Sequence, residues 1–94
     1  MSRHERITAR LNEAFAPTQL NVQDDSALHA GHSGARAGGE THYTVTMVSA
    51  AFAGKNRVAR SRAVHEALAE ELGSGLHALA LVLRAPSEGE TSAV

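Results

Sequence analysis

The stretch "DDSALHAGHSGARAGGETHY", residues 24 to 43, carries His29, His32 and His42, half of the six histidines in a 94-residue chain that has no cysteine. Imidazole is the commonest metal ligand and the usual proton carrier near neutral pH, and glycines give the segment around it backbone freedom. Metal binding is therefore the first chemistry to weigh. Zn²⁺ held by His29, His32 and His42 is one arrangement, but structural zinc takes four closely held ligands, often cysteines. Glycine-rich flanks would pre-organise such a set poorly. His77, in "LHALAL", reads either as a hydrogen-bonded structural residue or as a ligand. His42, beside Tyr43, reads as a cross-strand neighbour or an outer partner of a site. His65 follows Val64 and should face solvent, and His4 carries no signal.

A second group with chemistry is "GKNRVARSR", in which Lys55, Arg57, Arg60 and Arg62 fall within eight residues with no acid between them. Such a cluster suits phosphates or carboxylates, and arginines in the first turn of a helix oppose its dipole at a small cost. That cost favours a binding role, with DNA as one candidate partner. Two features speak against nucleic acid. The Gly-x-x-Gly signature of KH domains is broken, because Gly54 is followed three positions on by Arg57. Bases also find few stacking partners in a chain with two Phe, one Tyr and no Trp.

Catalysis finds no support. There is no thiol nucleophile and no Ser-His-Asp pattern. Asp24 and Asp25 are adjacent, so on a strand they point to opposite faces and cannot flank one bond. Glu70 and Glu71 read as a helix-surface pair. The expectation is a protein that is not an enzyme.

These groups need a scaffold, and the chain is long enough for one domain with a thin core, 43% hydrophobic and mostly Ala, Val and Leu. A formal charge of −1 gives no overall pull towards nucleic acid or anionic lipid. Without cysteine there are no disulfides, which fits a reducing compartment. The opening "MSRHERITARLNEAF" is too charged for a signal or membrane-spanning segment. The default is a soluble cytoplasmic protein, not bound to membrane, that is a monomer or weak dimer when free.

Ser2 and Glu5 have the spacing of a capping box, and Ile7, Leu11, Ala14 and Phe15 share one helical face until Pro17. "TQLNVQD" alternates as a short strand with Leu20 and Val22 inward. A loop is expected from about 25 to 39. "ETHYTVTMVS" is the strongest strand, with Tyr43, Val45 and Met47 on one face and Thr44, Thr46 and Val48 on the other. A turn at Gly54 leads to a helix over 58–72, whose stripe is Val64, Ala67, Leu68 and Leu72 and which "GSG" ends. "LHALALVLR" is a third strand with Leu79, Leu81 and Leu83 on one side. The order α-β-β-α-β predicts an α+β fold, a three-stranded sheet with its helices on one face. Its first two strands form a hairpin, and the second helix is long enough for a crossover between parallel strands. The domain is expected over 1–86, with a disordered polar tail over 87–94.

Taken together and in this order, "DDSALHAGH", "ETHYTVTMVSAAFAGK", "RSRAVHEALAEEL" and "LHALAL" resemble the BolA family over about residues 5 to 86. The resemblance implies a KH-like α-β-β-α-β two-layer sandwich. It also implies partnership with monothiol glutaredoxins bearing a Cys-Gly-Phe-Ser site, with which family members share a 2Fe–2S cluster in iron–sulfur trafficking or iron and redox regulation. Matched residue by residue, the family's C-terminal histidine ligand falls on His77 and its loop ligand on His29, with His32 as the alternative. One departure is clear: where the family usually has Arg-His-Arg, this chain has Arg60-Ser61-Arg62. The implied cofactor makes chemical sense for a chain without thiols. A 2Fe–2S cluster takes four ligands, and imidazoles can replace two thiolates. Here the thiolates would come from the glutaredoxin and its glutathione. Some family members regulate transcription, which keeps DNA binding around Lys55–Arg62 as the second reading.

Overall fold

The computed structural model describes residues 2–25 and 41–89. Helix α1, Arg3–Phe15, starts as its sequence dictates. The Ser2 hydroxyl accepts from the Glu5 amide at 3.1 Å, and the Ser2 amide donates to Glu5 Oε1 at 3.2 Å, so two otherwise unpaired helix-start donors are satisfied. Hydrogen bonds donated to its carboxylate by the Ser2 amide and then the Ser2 hydroxyl hold the Glu5 carboxyl below its usual range. The helix ends at Ala16, which takes a left-handed conformation with φ 44° and ψ 54°, just ahead of Pro17. Ile7 and Leu11 are fully buried and Phe15 half-buried, whereas Ala14 is exposed. The buried stripe therefore follows i, i+4, i+8 without Ala14.

Strand β1, Gln19–Asp24, pairs antiparallel with β2, His42–Val48, which pairs in parallel with β3, Ala78–Arg84. The sheet order is β1-β2-β3, with the strongest sequence strand in the centre. Ile7 and Leu11 of α1 meet Val22, Tyr43, Val45 and Met47 of the sheet, together with Phe52, Val64, Leu68, Leu76 and Ala85, in one core. Each fully buried apolar side chain contributes roughly 1.5–3 kcal/mol. Leu79, Leu81 and Leu83 pack against this core from the edge strand, while Ala78, Ala80, Val82 and Arg84 alternate outward. The helices thus cover one face, in the expected order.

After β2, a single 3-10 turn at Ala50–Phe52 buries Phe52 against Phe15, with ring centroids 5.2 Å apart. Gly54, at φ 78°, provides the turn expected there. Helix α2, Arg57–Ala67, is capped by Asn56, whose Oδ1 accepts from the Ala59 amide at 2.8 Å. The single helix expected over 58–72 is in fact two. At Leu68 (φ −104°, ψ 18°) the chain breaks, and α3, Ala69–Gly73, follows. No glycine or proline marks the break. Leu68 is sunk in the core, and the new direction brings Glu71 of α3 to α1. Tertiary contacts override local helix propensity here.

Glu71 is not the exposed helix-surface residue its sequence suggested. Its carboxylate accepts from Arg3 at 2.8 Å and from Arg6 at 2.9 Å, with only 12% of its side chain exposed. Arg3 also donates to the carbonyls of Glu71 and Ser74, at 3.0 and 3.1 Å. It thereby closes the end of α3, where helix carbonyls lack partners of their own. Beyond β3, Pro86–Gly89 form one helical turn, α4, so described structure continues three residues past position 86. No helix among the described residues is long and apolar enough to cross a membrane.

Candidate functional site

The parallel pairing of β2 with β3 decides where the histidines meet. In its register His42 lies opposite Ala78, so His77 falls beside His42 although 35 positions separate them in sequence. Their imidazole centroids are 5.5 Å apart, with the rings tilted by 52°. Thr41 organises both. Its carbonyl accepts from the amides of His77 and Ala78, at 2.7 and 3.0 Å, and its hydroxyl shares a hydrogen bond of 2.8 Å with His42 Nδ1. Thr41 is 2% exposed and His42 8%, whereas the His77 side chain is open to solvent.

This is an asymmetric pair. His42 is packed and held through one ring nitrogen, as expected of a neighbour that orients a ligand. His77 has a fixed backbone and an accessible ring, which suits a ligand to a group arriving from outside. The end of β1 completes the row: the Asp25 amide, just past that strand, donates to the His42 carbonyl at 2.7 Å. The Asp25 carboxylate accepts from Gln23 Nε2 at 2.7 Å and from the Thr44 hydroxyl. Sequence reading singles out neither Thr41 nor Asp25 for such roles, because no local spacing distinguishes them.

His29 and His32 lie outside the described residues, as do Ser26–Glu40 as a whole. Their chain is nevertheless anchored at both ends, at Asp25 and Thr41, on either side of His42. Among the described residues no three His, Asp or Glu side chains are grouped to hold a metal; two of the three histidines of the zinc arrangement are not among them.

The basic cluster divides. Lys55, Arg57 and Arg60 line an open groove of about 910 Å³ between α2 and β3, whereas Arg62 is exposed elsewhere on the helix. Ser61, His65, Leu79, Leu81, Leu83 and Arg84 are among the other lining residues, and among the described residues no carboxylate is. Arg60 Nη1 donates to the Leu83 carbonyl at 3.2 Å, tying α2 to the sheet edge. His65 is exposed, as expected; its Nδ1 donates to the Ser61 carbonyl one turn back at 2.8 Å. His4, which carries no signal in the sequence, has a structural role, because its Nε2 donates to the Val22 carbonyl on the β1 edge at 2.8 Å.

A small mixed sheet with its helices on one face and a pair of histidines at one end makes this a compact domain of the α+β class. The family model described as BolA-like protein matches residues 11–88, and the chain belongs to the BolA family. An uncharacterized protein in the cobS 5′ region of a Sinorhizobium species is 49% identical over 89 residues, covering 94% of this chain and 96% of that one. The Escherichia coli DNA-binding transcriptional regulator BolA is 43% identical over 77 residues, 82% of this chain and 70% of that protein. The structure of the BolA domain of SufE1 from Arabidopsis thaliana superposes with a TM-score of 0.85 at 44% identity, covering 94% of this chain and 96% of that domain. The chain spans only 24% of the full Arabidopsis relative, SufE-like protein 1.

Proposed function

We propose that this chain is a non-catalytic adaptor that docks a monothiol Cys-Gly-Phe-Ser glutaredoxin and co-ligates a bridging 2Fe–2S cluster through His77 and His29. One observation carries the proposal: an accessible imidazole, His77, whose backbone is held by the Thr41 carbonyl beside the anchors of the segment bearing His29. The donor set suits the group. Two neutral imidazoles complement two thiolates, one from the glutaredoxin and one from glutathione, and imidazole ligation makes the cluster less negative and raises its potential. His77 gives a fixed ligand, His42 orients it, and the segment between β1 and β2 supplies the second. A relative named as SufE-like fits a role in iron–sulfur supply, and a thiol-free chain suits a reducing compartment such as the cytoplasm.

The test mixes this protein with such a glutaredoxin, glutathione, iron and sulfide and records visible circular dichroism. A stable 1:1 complex, distinct from the glutaredoxin homodimer and lost in His77→Ala, is the expected result. An unchanged homodimer spectrum would sink the proposal.

A second reading, DNA binding, is favoured by the acid-free groove bearing Lys55, Arg57 and Arg60 and by the name of the Escherichia coli relative. On this reading Arg62 contacts the same backbone from the exposed side of α2. Affinity for duplex DNA would then fall steeply with salt, and each lost phosphate contact would flatten the log–log slope by about 0.9. Salt-insensitive or undetectable binding rejects it.

A further inference from the structure

The groove between α2 and β3 has a wall that neither reading uses: the unpaired edge of the sheet. Among the described residues β3 has a strand neighbour on one side only, β2. The Ala78 amide donates to the Thr41 carbonyl and the Arg84 carbonyl accepts from the Ser49 amide, so the even-numbered residues of β3 turn their backbone groups towards β2. In a strand the intervening residues turn theirs the opposite way. The amides of Leu79, Leu81 and Leu83 and the carbonyls of Leu79 and Leu81 therefore face the groove. The Leu83 carbonyl is taken by Arg60, which closes the edge at one end.

We propose that this edge accepts an extended acidic segment of a partner protein as a fourth strand. The edge supplies a ladder of alternating donors and acceptors, the means by which strands add to sheets. Lys55, Arg57, Arg60 and Arg84 supply positive charge along the groove, with no carboxylate among the described residues that line it, so the segment must be acidic. Side chains alternate across an added strand. Carboxylates at every second position would face the α2 wall, and the positions between them would face solvent or Val82. Exposed edges are usually blunted by charge, proline or a covering element. Here β1 carries Asp24 at its end and is tied to His4 at Val22, while among the described residues most of the β3 edge is left open between cations. Nucleic acid fits less well, since no Phe, Tyr or Trp lines the groove to stack a base. The inference is independent of cluster ligation at the opposite end of β3.

A fluorescein-labelled octapeptide of alternating Glu and Val, acetylated and amidated at its ends, is titrated with the intact protein and followed by anisotropy. Two further peptides carry N-methyl groups, one on the Glu amides and one on the Val amides. All Glu amides point to one edge of a strand and all Val amides to the other. One methylated peptide should therefore bind as the parent does, and the other about tenfold or more weaker. Amide exchange at Leu79, Leu81 and Leu83 should slow when the parent peptide is bound, and Arg57→Glu should weaken binding. Equal binding of both methylated peptides overturns the proposal, as does unchanged exchange at those three amides. If both bind equally and duplex DNA displaces them, the groove is a surface for polyanions and strand addition is rejected.

Discussion

The imidazoles of His42 and His77 face each other with centroids 5.5 Å apart, and both are positioned by Thr41, one through its hydroxyl and the other through its carbonyl. The two rings are neighbours in different surroundings. His42 is inside the protein and held, whereas among the described residues His77 is held through its backbone and its ring meets solvent.

Replacing each ring by alanine should separate their proposed roles. His77→Ala removes an exposed ring and should change stability by no more than about 0.5 kcal/mol. The shared cluster should nonetheless be lost. His42→Ala removes a packed ring and its hydrogen bond with the Thr41 hydroxyl, so it should cost about 1–3 kcal/mol. A cluster should still form, with altered stability. Urea titrations together with visible circular dichroism of the reconstituted complex read both effects. Equal behaviour of the two variants would contradict the division of roles.

Glu71 predicts a specific dependence on pH. Its hydrogen bond with Arg6, and the charges of Arg6 and Arg3, hold its carboxyl below the usual range despite the opposing push of burial. A carboxyl lowered in the folded state stabilises the protein above its unfolded value of about 4.3, and that contribution is lost as pH falls through the folded value. Glu71→Gln should therefore cost about 1–2 kcal/mol at pH 7. The gap between variant and parent should hold down to about pH 5 and close in stronger acid. Paired urea midpoints across that range provide the measurement. A gap independent of pH would mean that the charge does not contribute.

Ala16 sits at φ 44°, where a Cβ is unfavourable and glycine is the usual occupant of a helix end. Ala16→Gly should raise stability by about 0.5–1 kcal/mol. Calorimetry would show this as a higher melting temperature, and a lower one would refute it.

Phe52 lies in the core from a 3-10 turn rather than from a regular helix or strand, in contact with Phe15. Phe52→Ala should cost about 3–5 kcal/mol, a large share of the stability of a domain this size. Melts of the variant test it directly. A loss below about 1 kcal/mol would show that the turn is not integral to the core.

The sequence by itself determined the kinds of element and much of their order. Alternation in "HYTVTMV" and "ALALVLR" placed two strands, the Ser2–Glu5 spacing placed the start of α1, and four motifs in series pointed to the BolA family. These signals are local: each rests on residues within about two turns of helix or a few strand positions, where period and capping act. Tertiary structure alone decided the rest. It set His42 beside His77, joined Glu71 to Arg3 and Arg6, broke the predicted helix at Leu68, and separated Arg62 from the cations of the groove. Each of these depends on how distant segments pack. A parallel register between β2 and β3, or a helix redirected onto another, brings together side chains whose sequence spacing carries no trace of the contact.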